Sequence, residues 1–193
     1  MQIMPIFNPK DARISLAKEK VAIPMELVPA QLEDLDPLLT IYDRARQRMH
    51  VQGNFQWADD YPGVQRLRAD LAQQTLYLLK IAGKTIGACA LIPGPDETYQ
   101  VIRDGQWLNP APYWAIHRLV VDPLQQGQGY ARALLQAAEQ KTLAQGIYNC
   151  RIDTHAANTG MRRLLAKSGY TYCGIIVALD GIDRLAYQKI LPG

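Results

Sequence analysis

Residues 117–140 read HRLVVDPLQQGQGYARALLQAAEQ, and their reading decides the rest. An apolar stretch closing on Val120 and Val121 ends at Asp122-Pro123, a pair that stops a strand. Gly127 and Gly129 crowd the turn that follows. Ala131, Leu134, Leu135, Ala138 and Thr142 then recur at the spacing of a helix's inner stripe. The first backbone N–H groups of a helix have no partner within it and carry partial positive charge. Glycines let a ligand approach that backbone closely. The segment therefore predicts an anion site suited to phosphate groups.

Outward from this turn the chain alternates strands and helices. Upstream, Met25 to Val28 reads as a short strand. A helix follows with Leu35, Leu38, Leu39, Tyr42 and Met49 at helical spacing, then an aromatic loop over 50–63 and a second helix carrying Val64, Leu67 and Leu71. Thr75–Ala82 and Thr85–Ile92 flank Gly83-Lys84, a hairpin signal. A proline-rich connection over 93–112 leads into the strand Tyr113–Val121. Downstream, Gly146 caps the central helix, and Ile147–Thr154 is a strand. Asn158 opens a short helix with Met161, Leu164 and Leu165 inward, and Gly169 closes it. Tyr170–Ala178 and Leu185–Ile190 make the last strands. The order is β-α-α-β-β-β-α-β-α-β-β, a mixed α/β fold. Residues 25–193 read as one domain, with 1–24 as an extension of no clear pattern.

A dinucleotide fingerprint fails here, because the position of its third glycine is Arg132. A Walker A loop fails for want of Gly-Lys. Gln126-Gly127-Gln128-Gly129-Tyr130-Ala131 instead matches Q/R-x-x-G-x-G/A. With the strand before it, the helix after it, and a second block running from Asn158 to Gly169-Tyr170, the chain resembles the GNAT superfamily of N-acetyltransferases. Gln56-Trp57 and Tyr61-Pro62 are similar to a bacterial subgroup. The resemblance implies a central twisted mixed sheet flanked by helices on both faces, and acetyl-CoA as cosubstrate. It implies a pyrophosphate held by Gln126, Gly127, Gln128, Gly129, Tyr130 and Ala131, and a pantetheine arm along Leu119, Val120 and Val121. Asn158 would cap its helix, as Asn favours, and also touch the cofactor.

Attack of an amine on a thioester is helped by a general base that titrates near neutrality. His117 is the first candidate, since histidine titrates at ~6.5 when unperturbed. It lies four residues before Val121, so regular alternation predicts a face shared with Leu119 and Val121. The alternative is a structural histidine held by a carboxylate. Asp153 and His155 form a second constellation, expected on one strand face, with Asp153 orienting His155 or positioning an amine. Trp57, Tyr61 and Tyr99 are candidate walls of an acceptor pocket, or anchors of long loops. The resemblance places a tyrosine acid seven residues past Asn158; Leu165 stands there.

Composition narrows the class further. Of the 193 residues 48% are hydrophobic and 20% charged, which suits a folded chain with a real core. A net charge of +3 without a Lys/Arg block gives no nucleic-acid footprint. No apolar run approaches the ~20 residues of a membrane span. The first residues lack the apolar core of a signal peptide, so a cytoplasmic location is expected. Cys89, Cys150 and Cys173 form no metal-spaced pair and read as core thiols; no metal is expected. The expected activity is direct acetyl transfer from acetyl-CoA to a primary amine of a small molecule or peptide. The alternative is a non-catalytic acyl-CoA sensor. A homodimer paired through the last strands is expected by analogy.

Overall fold

The computed structural model describes residues 25–57 and 60–193. The expected extension over 1–24 lies outside the described residues. Seven strands form a single sheet: β1 Met25–Pro29, β2 Leu76–Ile81, β3 Lys84–Pro93, β4 Trp114–Val121, β5 Asn149–Thr154, β6 Thr171–Val177 and β7 Asp183–Ile190. Their spatial order is β1-β2-β3-β4-β5-β7-β6. Every neighbouring pair is antiparallel except β4–β5. The crossover between those two is the central helix, as parallel strands require.

Helices cover both faces. On one, α1 (Leu35–Val51) and α2 (Val64–Ala72) bury Leu38, Ile41, Tyr42 and Leu67 against Leu76, Leu78, Ala88 and Val120. On the other, α3 (Tyr130–Leu143) and α4 (Thr159–Lys167) bury Leu134, Leu135, Ala138 and Leu165 against Leu79, Cys89, Leu91, Ile116 and Ile152. Each fully buried Leu among these removes apolar surface worth about 1.5–3 kcal/mol. The β2–β3 hairpin turns at Ala82 and Gly83, both with positive φ, as a tight two-residue turn demands.

One irregularity matters for the site. Val120 pairs with Ala88 and His117 with Ala90, so both Arg118 and Leu119 stand opposite Cys89. This is a β-bulge, and Arg118 holds φ +52° to make it. Gly87 on β3 is needed beside it: a Cβ there would lie 2.4 Å from the Val120 carbonyl oxygen. The bulge resets the alternation. His117 therefore does not share a face with Leu119 and Val121, as regular alternation predicted. Leu119 and Val121 pack with the α3–α4 core, whereas His117 stands against Tyr99, whose cluster holds Ala115.

The connection over 94–113 is anchored, not loose. It contains a single 3-10 turn, Glu97–Tyr99, started by the Asp96 side chain. Trp107 Nε1 donates to the Tyr99 carbonyl at 2.9 Å, and the Leu108 N–H donates to Gln188 Oε1 at 2.9 Å.

Candidate functional site

β4 and β5 pair at only two positions, Trp114 with Cys150 and Ala115 with Arg151. Beyond them the strands part, leaving the edge of β4 toward Val121 without its neighbour. Two cavities open along this parting. Met49, Trp57, Leu119, Asn158 and Met161 line both, so the cavities meet there.

The first is a groove of about 580 Å³ running over the glycine turn. Asp122, buried and outside the lining, accepts from the Leu124 N–H and pairs with Arg44 at 3.2 Å, which fixes the 3-10 turn Pro123–Gln125. Gly127 (φ +81°) and Gly129 (φ +79°) then take left-handed conformations that glycine adopts without a Cβ penalty. A Cβ on either would meet nothing within 4 Å, so the space above the turn is open. α3 begins at Gly129 with no side chain capping it. Leu119, Val120, Val121, Gln126, Gly127, Gly129, Tyr130, Ala131 and Asn158 all line the groove. Gln128 does not; it is exposed and accepts from the Tyr130 hydroxyl at 2.9 Å. Arg48 and Arg163 add positive charge to the walls. An uncapped helix start under open space suits a pyrophosphate.

Asn158 caps α4, accepting from the Met161 N–H at 3.1 Å. Its Nδ2 donates to Gln56 Oε1 at 3.2 Å. Gln56 Oε1 also takes the Thr154 hydroxyl and the His155 N–H, so the α1–α2 loop is tied to the end of β5.

The second cavity, about 440 Å³, lies on the other side of the meeting point. His117, Asp96 and Asp153 line it together. His117 Nε2 lies 2.9 Å from Asp96 Oδ2, and Nδ1 lies 3.8 Å from Asp153 Oδ1. Asp153 accepts from the Tyr99 hydroxyl at 2.7 Å. Burial opposes ionisation of Asp96, but hydrogen bonds from His117 and Thr98 outweigh it and lower its pKa to about 2. An ionised Asp96 accepts, so Nε2 carries the hydrogen and Nδ1 of a neutral ring keeps its lone pair.

The expected pairing of Asp153 with His155 is not what the structure has. β5 ends at Thr154, so strand alternation stops before His155. His155 Nδ1 accepts from the Ala157 N–H at 3.2 Å within its own turn, while Asp153 turns to Tyr99 and His117. Of the aromatic candidates, Trp57 and Tyr61 line the cavity. Trp57 is buried and meets Tyr42 edge-on at 5.5 Å. Tyr99 is not among the lining residues; at 2% exposure it stands behind the wall and holds Asp153 from there. Leu165 lies wholly in the core, away from both cavities.

Asp96 is the functional residue absent from the candidates named from the sequence. The signal was local: Asp96 with Thr98 two residues on is a turn-starting pair, which fixes the carboxylate but does not reveal its partner 21 residues away. The cysteines are buried and unpaired, and burial pushes the Cys89 thiol up to about 12 and Cys150 to about 11, the range of inert thiols. Among the described residues no group of His, Cys, Asp or Glu has the makings of a metal site, and no helix is long and apolar enough to cross a membrane.

A seven-stranded mixed sheet parted beside an uncapped glycine turn is the architecture of an acetyltransferase that uses a coenzyme A thioester. The sequence matches the model of the acetyltransferase (GNAT) family over residues 36–170, and the chain belongs to that family. It is similar to a GNAT-family acetyltransferase from Streptococcus agalactiae, with 31% identity and a TM-score of 0.78 over 88% of this chain and 96% of that one. The fold is also shared with a ribosomal-protein-alanine N-acetyltransferase from Brucella melitensis (20% identity, TM-score 0.62, 86% and 99% covered). It is shared again with the PaiA N-acetyltransferase of Thermoplasma acidophilum in complex with coenzyme A (15%, 0.62, 86% and 99%). No curated protein matches the sequence.

Proposed function

We propose that this protein moves the acetyl group of acetyl-CoA directly to a primary amine of a small molecule or peptide, within a ternary complex. The observation that carries the reading is the meeting of two unlike cavities at Leu119 and Asn158, one floored by the glycine turn, the other holding His117 between two carboxylates. Acetyl-CoA, when bound, supplies an activated thioester carbonyl. The backbone amides of Gln126, Gly127, Gln128, Gly129, Tyr130 and Ala131 hold its pyrophosphate. The unpaired edge of β4 at Leu119, Val120 and Val121 holds the pantetheine arm, and a backbone N–H of this strand serves the developing oxyanion. Asn158 lines the arm's path.

On the acceptor side, His117 takes the amine proton at Nδ1, and Asp96 steadies the imidazolium through Nε2. Asp153 draws the amine to the cavity and is itself held by Tyr99. Trp57 and Tyr61 wall the site. Leu165 gives α4 no acid, so the sulfur leaves as a thiolate. Burial raises all three thiols, Cys89 to about 12, Cys150 to about 11 and Cys173 above its ordinary value, so attack by the amine itself is the route supported. Residues 25–193 act as one domain in the cytoplasm. Light scattering tests the homodimer, with β6, a sheet-edge strand, as its seam.

Calorimetry with acetyl-CoA, followed by a thiol-release assay over a panel of primary amines, tests the transfer. Saturable acetyl-CoA binding and thiol release with some amine are expected. Binding without acetylation of any amine in the panel would overturn the transfer reading.

A further inference from the structure

The acceptor cavity has two ends of opposite charge. Around His117 stand the carboxylates of Asp96 and Asp153. Toward α2 the lining turns to arginine. Arg118 reaches down from the β4 bulge to Asp70, with Nε 2.8 Å from Oδ2 and Nη2 donating to Oδ1 at 3.0 Å. Arg66, four residues before Asp70 on α2, donates to the same Oδ1 from Nη2 at 2.7 Å and from Nε at 3.1 Å. Two guanidiniums thus share one carboxylate. Asp70 is fully buried and the Arg118 side chain is 5% exposed, but Arg66 is 34% exposed and lines the cavity. Among the described residues the Arg66–Asp70–Arg118 cluster therefore carries one positive charge in excess, presented by Arg66, while the other charged pair of the lining, Arg184 with Asp180, is self-neutral. Tyr61 adds a hydroxyl: its oxygen lies 3.4 Å from Arg118 Nη1 as acceptor, and its own hydrogen remains to donate.

The arrangement is held at a cost. Arg118 is a non-glycine residue at positive φ, a strained conformation for a residue with a Cβ. Tyr42 fixes it by donating from its hydroxyl to the Arg118 carbonyl at 2.8 Å, buried. His117 and Arg118, adjacent in the chain, thus line one cavity with different partners, Asp96 and Asp153 for the first and Asp70 and Tyr61 for the second.

We propose that Arg66, Tyr61 and Arg118 form an anion subsite, and that the acceptor is a carboxylate-bearing amine: an amino acid or a peptide with a free carboxylate. The amine lies at His117 and Asp153, and the carboxylate at Arg66 and the Tyr61 hydroxyl. A monoanion balances the single free charge, and a carboxylate matches the guanidinium fork. A dianionic phosphate would leave an excess negative charge beside Asp70. The assignment of ends rests on the transfer reading above; the anion subsite stands on the Arg66–Asp70–Arg118 geometry.

The test uses the full chain with acetyl-CoA, the standard L-amino acids and short peptides, each beside its C-terminal carboxamide. The wild type should prefer carboxylates over their carboxamides by about tenfold or more in kcat/KM, the value of a hydrogen bond to a charged group. Arg66→Gln should bring that ratio close to one, mainly through KM, and Arg66→Lys should keep part of it. Thermal unfolding checks that each variant is folded. Wild-type turnover with no carboxylate preference, or a ratio unchanged in Arg66→Gln, would overturn the subsite and leave the transfer reading standing. If no amine is acetylated, the transfer reading fails. The subsite is then judged by calorimetric titration of the same pairs into the CoA-bound protein: carboxylate-dependent binding lost in Arg66→Gln supports it, and its absence overturns it.

Discussion

The groove over the glycine turn is made of backbone, whereas the cavity around His117 is made of side chains brought from distant segments. Gln126 to Ala131 lie within six consecutive residues, and their conformation follows from Asp122, Pro123 and two left-handed glycines. The cavity draws Asp96 from the β3–β4 connection, His117 and Arg118 from β4, Asp153 from β5, and Arg66 from α2. A backbone site recognises what a whole family shares; a side-chain site is free to differ between members. Substitutions in the two regions should therefore separate binding of the cofactor from turnover of the acceptor.

The largest separation is expected at His117. His117→Ala removes the base while leaving the turn untouched, so kcat should fall by about 10²–10⁴-fold, the usual value of a positioned acid–base group. The acetyl-CoA Kd should stay within about twofold. Steady-state kinetics beside calorimetry reads both. A variant that keeps its kcat would break the division, leaving His117 as a structural histidine held by Asp96.

The reverse effect is expected from the turn. Gly129→Glu sets a carboxylate at the start of α3, where the groove suits a pyrophosphate, and should weaken acetyl-CoA binding by about 100-fold or more. Gly129→Ala sharpens the comparison. Its Cβ meets nothing within 4 Å, so the change acts through φ +79° alone. A stability loss of about 1–2 kcal/mol is expected with a much smaller change in Kd. Equal loss of affinity in both variants would mean that backbone strain, not the added charge, governs the site.

This contrast also explains what could be read from the sequence. The order of strands and helices, the turn and the α4 cap were legible because each is a local pattern: apolar period, glycine position, N-cap residue. The face of His117 was not, because alternation over Tyr113–Val121 assumes a regular strand. The bulge at Arg118 is signalled only by Gly87 on the partner strand, 31 positions earlier. The Asp153–His155 pairing failed for a similar reason, since the period of two ends with β5 at Thr154. The Arg66–Asp70–Arg118 cluster left half a trace, an i,i+4 charge pair on α2, which reads as an ordinary helix-surface ion pair until β4 brings the second arginine onto it.

A smaller effect is expected behind the cavity wall. Tyr99→Phe keeps the ring packed against Trp107 and Tyr113 and deletes the hydroxyl that donates to Asp153. Stability should fall by about 1 kcal/mol. The kcat should fall only a few-fold, with acetyl-CoA affinity unchanged, if Tyr99 acts by positioning Asp153. Chemical denaturation and kinetics measure the two. A loss of turnover as large as in His117→Ala would give Tyr99 a direct part in proton transfer.

The smallest expected effect is an acid response confined to the side-chain site. Asp96 has its pKa lowered to about 2 in the folded chain, against about 3.9 for an unstructured aspartate. The unfolded chain therefore binds the proton first as pH falls. The stability that the ionised Asp96 contributes is present above about pH 4 and is lost as pH drops toward 2. Asp96→Asn has no such proton to bind. The difference in thermal midpoint between wild type and Asp96→Asn should shrink between pH 4 and pH 2.5, by roughly a few degrees. A difference that stays constant down to pH 2.5 would mean that His117 and Thr98 do not hold the Asp96 carboxylate ionised. The orientation of the His117 ring, with Nδ1 left to act as base, would then lose its support.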